Sequence, residues 1–129
     1  DGKFEFEDTY IASDFTGMDG HSFNYLVVNV FRALDFTCEN LPMSGDRGAD
    51  FLAEKEGVRY VVQTKLWKNK VGDPTIQKLV GSKTWYKADR AICVTNSEYT
   101  KPARQWENRG VELIDGKKLD EMIFALYNR

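Results

Sequence analysis

Six apolar residues in the first third of the chain repeat at the spacing of one face of an α-helix. They are Phe23, Leu26, Val27, Val30, Phe31 and Leu34. Residues three and four apart lie on the same side of a helix, so this stripe predicts an amphipathic helix packed on a core. Asp19 and Ser22 are both candidates to cap its amino end. The acidic, aromatic residues 1–19 are predicted to form an N-terminal extension, with a short strand at Lys3–Glu7.

A hairpin is predicted next. Ala49–Ala53 and Val58–Leu66 have the composition of strands, and Glu54–Gly57 is a tight charged turn between them. Another short strand is predicted within Phe36–Pro42, and the cluster Ser44–Gly48 predicts a turn before the hairpin. The first half of the domain therefore favours antiparallel pairing.

The second half alternates between helices and strands. The predicted elements are a helix from Asp73 to about Tyr86, a strand at Arg90–Thr95, a helix at Lys101–Asn108, a strand at Val111–Ile114 and a helix at Lys117–Tyr127. Asp73 is expected to cap the first of these helices, with Pro74 in its first turn, and Gly110 to end the second. A hairpin followed by crossovers predicts an α/β fold with a mixed sheet and helices on both faces.

Composition excludes several classes of protein. The 129 residues suit one domain, and no apolar run approaches the roughly 20 residues that span a bilayer. The amino end has no signal-peptide pattern. Cys38 and Cys93 lack CxxC spacing, and His21 is the only histidine, so free thiols in a reducing cytoplasm are expected instead of a zinc site. Because the chain starts at Asp1, we expect a domain of a longer protein that carried an anchor or targeting domain.

Charge is unevenly distributed along the chain. The whole chain has a net charge of −2, yet residues 65–104 contain nine Lys or Arg against three Asp or Glu. A local basic stretch can contact a phosphate backbone, although a solvated helix face would give the same count.

Three polar residues are predicted to meet at one end of the hairpin. Gln63 and Lys65 are two apart, so they share a strand face. Asp50 lies at the start of the preceding strand. Because the two strands are antiparallel, this start lies beside the end of the second strand, and Asp50 can reach Gln63 and Lys65. The Asp50 carboxylate, the Gln63 amide oxygen and the Thr64 carbonyl are ligands that suit Mg²⁺. Lys65 could orient or deprotonate a metal-bound water, as phosphodiester hydrolysis requires, although three such residues also meet by chance in half-exposed hairpins.

Several ordered motifs carry a resemblance to a known family. They are SGDRGAD at 44–50, YVVQTK at 60–65, VG at 71–72 with IQKL at 76–79, VTNSEYT at 94–100 with Ala103, and GVELIDG at 110–116 with Leu119. Together, over roughly Gly20 to Ile123, they resemble the catalytic domain of Mrr-type restriction endonucleases. These belong to the PD-(D/E)xK nuclease superfamily, in the variant with glutamine in place of the second acid.

The resemblance implies a restriction-endonuclease-like αβββαβ core in residues 20–129 and an endodeoxyribonuclease that depends on Mg²⁺, with Mn²⁺ able to substitute. By position, Asp50 and Gln63 would be metal ligands, with the Thr64 carbonyl beside them, and Lys65 the catalytic lysine. Gln77 matches a glutamine close to the active site in the family. DNA is the expected partner, in host defence in the cytoplasm, with a homodimer and a separate target-recognition or membrane domain outside this chain.

One position departs from the family pattern. Phe23-Asn24 stands where the family has Phe-Glu, and Ser22 stands where a second acid is common among relatives. An amide oxygen can bind a metal but brings no charge and cannot act as a base. Three alternatives follow: a slow nuclease, a site in which Asp19 substitutes, or an altered or inactive nuclease-like fold that binds DNA or protein.

The remaining polar and aromatic residues have weaker assignments. Phosphate contacts are predicted for Arg47, Lys68, Lys70 and Lys78, which flank the site. Trp67 is expected to pack on the next helix, with stacking on a base or sugar as the alternative. Trp85 and Tyr86 are expected in the core. For His21, a structural or exposed role is preferred over acid–base chemistry.

Overall fold

Five strands form one mixed sheet whose spatial order follows the chain. The computed structural model describes Phe15, residues 17–42 and residues 47–128. The strands are β1 Thr37–Asn40, β2 Phe51–Lys55, β3 Val58–Lys65, β4 Arg90–Thr95 and β5 Glu112–Ile114. β1, β2 and β3 pair antiparallel, and β4 and β5 are added in parallel. The predicted mixed α/β sheet is therefore confirmed, whereas the strand predicted at Lys3–Glu7 lies outside the described residues.

Helices cover both faces of this sheet. They are α1 Gly20–Ala33, α2 Asp73–Tyr86, α3 Lys101–Arg104 with a 3₁₀ turn at Gln105–Arg109, and α4 Gly116–Tyr127. The element order α1, β1–β3, α2, β4 agrees with the predicted αβββαβ core. No helix in the described part of the chain is long and apolar enough to cross a bilayer.

Neighbouring residues of β3 belong to different cores. Val62 packs with Phe23 and Phe31 on the α1 and α4 side, and Val61 packs with Ile76 on the α2 side. All but Phe31, which is 2 % exposed, are fully buried. Successive strand residues point to opposite faces, and burying each large apolar side chain contributes about 1.5–3 kcal/mol. This alternation fixes which residues at the end of β3 face each side.

One of the two residues predicted to cap the first helix does so. Asp19 is its N-cap, and the Asp19 carboxylate accepts a hydrogen bond from the Ser22 N–H at 2.7 Å. The cap predicted for α2 is wrong by one residue, because extended Gly72 takes that place and Asp73 is already helical. The Asp73 carboxylate is consequently available to other partners.

The helix predicted at Lys101–Asn108 is shorter and mixed. Four residues of α3, capped by the Thr100 hydroxyl, pass directly into the 3₁₀ turn, and Gly110 ends it with a φ of 85°. The tighter winding accompanies a hydrogen bond from the Trp106 indole to Asp73 of α2.

The hairpin turn has two residues instead of the predicted four. Glu56 and Gly57 have positive φ values of 53° and 80°, as a type I′ turn requires at its two central positions. Lys55 pairs with Val58 across this turn. The register that it sets brings the start of β2 beside the end of β3, where the candidate site lies.

Candidate active site

Asp50 lies immediately before β2, beside the end of β3. The Asp50 N–H donates to the Val62 carbonyl at 2.7 Å, which extends the hairpin pairing by one residue. Gly48 fixes the approach to this position, since its φ is 86° and an added Cβ would lie 2.7 Å from the Lys78 carbonyl oxygen of α2. A side chain at Gly48 would force the loop away from α2.

One carboxylate oxygen of Asp50 is saturated with donors. Oδ2 accepts hydrogen bonds from the Gln63 side-chain amide at 2.9 Å, the Thr64 N–H at 2.7 Å and the Thr64 hydroxyl at 3.1 Å. Among the described residues, none donates to Oδ1, and Oδ1 is not a buried unsatisfied atom. The carboxylate is thus held through one oxygen while the other stays accessible.

Lys65 lies close enough to influence the Asp50 carboxyl. Burial raises the pKa of Asp50, while hydrogen bonds from Thr64 and the positive charge of Lys65 act to lower it. The structure therefore brings Asp50 and Gln63 into hydrogen-bonding contact and places the charge of Lys65 near the same carboxyl. A cation bound at Oδ1 would favour the ionised carboxylate further.

The Gln63 amide lies between two oxygens. Its nitrogen is 2.9 Å from Asp50 Oδ2 and 3.1 Å from the Thr64 carbonyl. The two ends of an amide are assigned from their hydrogen bonds, and a half-turn of the amide exchanges oxygen for nitrogen. That half-turn would exchange the hydrogen bond from Gln63 to Asp50 for a Gln63 oxygen that lies beside Asp50 Oδ2 and the Thr64 carbonyl.

This donor set suits a hard cation such as Mg²⁺, which prefers oxygen ligands and keeps several waters. The described part of the chain contains no group of three His, Cys, Asp or Glu side chains that could hold a metal. Among the described residues, a cation at Asp50 would therefore have fewer than three such side chains as ligands, with neutral oxygens or waters completing its shell.

Asn24 reaches the same cluster from α1. The Thr64 hydroxyl lies 3.1 Å from the Asn24 side-chain oxygen and 3.1 Å from Asp50 Oδ2. A hydroxyl has one proton, so it donates to one of these two acceptors at a time. Asn24, at the position where the family pattern has glutamate, is therefore linked to Asp50 through the Thr64 hydroxyl.

A cleft of about 510 Å³ opens beside Asp50 on the α1 side. It is lined by Gly20, His21, Asn24, Tyr25, Asn40, Leu41, Pro42, Ala49, Asp50 and Thr64. His21 is exposed there, so the choice between an exposed role and acid–base chemistry stays a prediction. Asp19 does not line the cleft, and its carboxylate caps α1, so the structure gives no support to Asp19 as a substitute acid.

Gln77 is not brought to Asp50. Its amide donates to Asp73 Oδ2 at 2.7 Å, and it lines a separate cavity of about 190 Å³ with Asp73, Trp106 and Arg109. The catalytic role of Gln77 stays a prediction. The bond between Trp106 and Asp73 was missed in the sequence because the two residues are 33 apart, and no local pattern joins them.

The predicted DNA-contacting residues are all exposed. Lys68 and Lys70 follow β3, whereas the Arg47 guanidinium stacks 3.6 Å from the ring centre of Trp85. Trp85 is 60 % exposed, so the prediction that it belongs to the core is wrong. It lies near the carboxyl end of α2 and is exposed.

Trp67 also departs from its preferred prediction. Its side chain is 48 % exposed and does not pack in either core. The Lys65 ammonium lies 5.6 Å from the centre of the Trp67 ring. The alternative, stacking on a base or sugar, stays a prediction.

The cysteines and Tyr86 agree with their predictions in different degrees. Both cysteines are free; Cys93 is buried and Cys38 is half-buried. Burial raises the pKa of each thiol to about 11, so neither is a reactive thiolate near neutral pH. Tyr86 is half-buried against the α2-side core.

The chain is similar to restriction endonucleases in both sequence and structure. Residues 15–123 match the family Mrr_cat, described as restriction endonuclease. The type IV methyl-directed restriction enzyme EcoKMrr of Escherichia coli (strain K12) is 32 % identical over 107 residues, covering 75 % of this chain and 35 % of that enzyme. The chain thus spans about a third of the length of that curated relative.

Two solved structures share the fold at low sequence identity. The DNA modification-dependent restriction endonuclease AspBHI superposes with a TM-score of 0.68 at 16 % identity, over 81 % of this chain and 30 % of that one. The restriction endonuclease MspJI, solved with a 27-mer oligonucleotide, gives a TM-score of 0.60 at 19 % identity, over 86 % and 29 % of the two chains. Because the family match covers most of its residues, this chain belongs to the Mrr_cat family of restriction endonuclease domains.

Proposed function

We propose that this chain is an endodeoxyribonuclease domain that cleaves DNA phosphodiester bonds with the help of Mg²⁺. One observation carries the proposal. The Asp50 carboxylate is fixed through Oδ2 by the Thr64 N–H and lies beside Gln63, while Oδ1 has no donor among the described residues and Asp50 lines a cleft. The positive charge of Lys65 acts on the same carboxyl.

Each residue has a separate role in this proposal. Asp50, the Gln63 amide oxygen and the Thr64 carbonyl would hold Mg²⁺, or Mn²⁺ in its place. When bound, the ion would lower the pKa of a coordinated water and offset charge on the phosphate. The Lys65 ammonium orients the attacking water and stabilises negative charge that develops on the phosphate oxygens.

DNA is the proposed substrate, and cytoplasmic host defence the proposed setting. Lys68, Lys70, Lys78 and Arg47 are exposed and are proposed to contact phosphates. The E. coli relative is described as methyl-directed and is about three times as long as the matched part. Target recognition is therefore proposed to reside in another domain, and cutting of both strands to require two copies of the chain.

Lys65→Ala tests the proposal most directly. Nicking of supercoiled plasmid in Mg²⁺ or Mn²⁺ is expected to fall by about 10²-fold or more, because the ammonium that acts on water and phosphate is removed. Lys117→Ala is the matched control, since Lys117 is exposed on α4 and lines neither cavity. Full activity of Lys65→Ala would contradict the role of Lys65.

A second candidate function follows from Asn24. With one carboxylate in the cluster, the chain would bind DNA or a protein partner through a nuclease-like fold without cutting. This candidate requires that calorimetry detect no Mg²⁺ binding and that DNA affinity not depend on Mg²⁺.

Asn24→Glu separates the two candidates. Under the nuclease proposal, restoring the carboxylate tightens Mg²⁺ binding and increases nicking by about tenfold or more. Asn40→Glu is the control, because Asn40 lines the same cleft from β1 and receives the same added charge. Equal effects of the two substitutions would mean that general charge in the cleft, not position 24, controls activity.

A further inference from the structure

The backbone of Trp67 is held at two points by a single side chain. The Trp67 N–H donates to the Asn96 side-chain oxygen at 2.7 Å, and the Asn96 amide donates to the Trp67 carbonyl at 3.0 Å. This reciprocal pair has the same form as the two bonds that strands exchange, although it lies beyond the end of β3 and β4. Asn96 therefore fixes the backbone from which the indole projects.

The segment around Trp67 is attached at both ends, first to the last residue of β4 and then to the segment that follows β4. Before it, the Thr95 hydroxyl donates to the Lys65 carbonyl at 2.7 Å. After it, the Val71 N–H donates to the Glu98 carbonyl at 2.8 Å, and the Thr100 N–H donates to the Val71 carbonyl at 3.0 Å. An indole that is half exposed thus stands on backbone fixed before, at and after its own position.

The indole is adjacent to the proposed catalytic lysine. Residues 65 and 67 are two apart, and the Lys65 ammonium lies 5.6 Å from the Trp67 ring centre. Successive nucleotides of one strand are about 3.4 Å apart along the helix axis. If Lys65 contacts the scissile phosphate, Trp67 faces a neighbouring nucleotide.

Trp67 differs from Trp85 and Phe124, two other exposed aromatic residues, because it combines a held backbone with a neighbouring proposed catalytic lysine. Trp85 is stacked against Arg47, and Phe124 is on α4, whose packed side faces the α1-side core. The indole is half exposed and stands on a held backbone with only two side-chain torsions, so ordering it against a flat partner costs little conformational entropy. Bases stack on such rings, but a base within a duplex already has neighbours on both faces.

We propose that Trp67, positioned by Asn96, is a stacking subsite for an unpaired nucleobase next to the phosphate that is cut. The preferred substrate would then be DNA with an unpaired or displaced nucleotide at the cleavage position, such as a single strand, a mismatch or a gap. The location of the subsite relative to the cut rests on the proposed function, whereas the stacking itself does not.

Binding without metal tests the stacking separately from cleavage. In EDTA, the affinities for a fluorescent oligothymidylate and for a blunt duplex of equal length are measured by anisotropy. Trp67→Ala is expected to weaken single-strand binding by about 5- to 100-fold, which is typical of one lost base–aromatic stack, and duplex binding by less than about twofold. Trp67→Phe retains most of the affinity, because a smaller ring still stacks.

Two further variants sharpen the result. Asn96→Ala is expected to weaken single-strand binding by about three- to tenfold, because the backbone that carries the indole is no longer held while the indole remains present. Phe124→Ala removes another exposed aromatic side chain, 63 % exposed, and is expected to change neither affinity. Equal losses on both DNAs in Trp67→Ala, or no loss, would overturn the subsite, as would absence of oligothymidylate binding by the parent chain. Because no metal is present, these outcomes are independent of whether the chain cuts DNA.

Discussion

Two aspartates of this domain each accept a hydrogen bond from a glutamine amide, and they differ in their second carboxylate oxygen. Gln63 donates to Asp50 at 2.9 Å, and Gln77 donates to Asp73 at 2.7 Å. At Asp73 the remaining oxygen accepts the Trp106 indole N–H. At Asp50, among residues in the described ranges, the remaining oxygen has no donor.

Asp73 is therefore a structural carboxylate, whereas Asp50 has one oxygen available to a ligand. Asp73 joins α2 to the 3₁₀ turn through both oxygens, so each of them is already hydrogen-bonded within the domain. Asp50 is oriented through one oxygen and presents the other to a cleft. Residue identity alone does not distinguish the two pairs, since both are an aspartate beside a glutamine.

The largest expected effect comes from Asp50→Asn. The asparagine oxygen can accept the three hydrogen bonds now made to Oδ2, and its amide would point to the cleft. Cleavage is expected to fall by about 10²-fold or more, because the only carboxylate of the proposed metal site is lost. Plasmid nicking measures this loss.

The same substitution is expected to raise Tm by a few degrees. Burial raises the pKa of Asp50, so folding favours its neutral form and the ionised carboxylate destabilises the fold at neutral pH. As the pH falls through the folded-state pKa, the parent carboxyl becomes protonated and the difference in Tm narrows. A lower Tm for Asp50→Asn at neutral pH would contradict the comparison of the two aspartates.

Asp73→Ala is expected to lower stability and leave cleavage nearly unchanged, which is the reverse of Asp50→Asn. The Trp106 indole and the Gln77 amide lose their acceptor, which is expected to cost about 1–2 kcal/mol of unfolding free energy. Urea unfolding measures the cost, and cleavage per folded molecule is expected to stay near that of the parent. Asp73→Asn is the matched variant, because it keeps one acceptor and should lose less stability.

Gln77→Ala should have the smallest effect. Gln77 is exposed, and Asp73 keeps its bond to Trp106, so the loss of unfolding free energy is expected to be below about 0.5 kcal/mol. Cleavage is expected to change by less than about twofold. A large fall in cleavage with unchanged stability would instead support the catalytic role predicted for Gln77 and place the second cavity at the DNA.

Most of the fold could be predicted because its signals are local. The stripe from Phe23 to Phe31 marks the buried face of α1, and alternation along β3 separates Val61 from Val62. The proximity of Asp50 to Gln63 also follows from local rules, since an antiparallel hairpin brings the start of one strand to the end of the next.

The remaining features depend on contacts between distant residues. Asp73 carries the sequence signal of a helix cap, yet the preceding Gly72 adopts the extended conformation that a cap requires. Trp85 has the composition of a core residue, but its partner is Arg47, from a loop 38 positions earlier. The clamp of Asn96 on Trp67 likewise joins segments 29 residues apart, and no periodicity encodes such a pair.

The two-residue turn at the far end of the hairpin has a practical consequence. Glu56 adopts a left-handed conformation in which asparagine or glycine is favoured, so replacing Glu56 by either residue is expected to stabilise the turn. It lies at the opposite end of β2 and β3 from Asp50. Protein engineers could therefore strengthen the domain at Glu56 for crystallography or assays while leaving its chemistry unaltered.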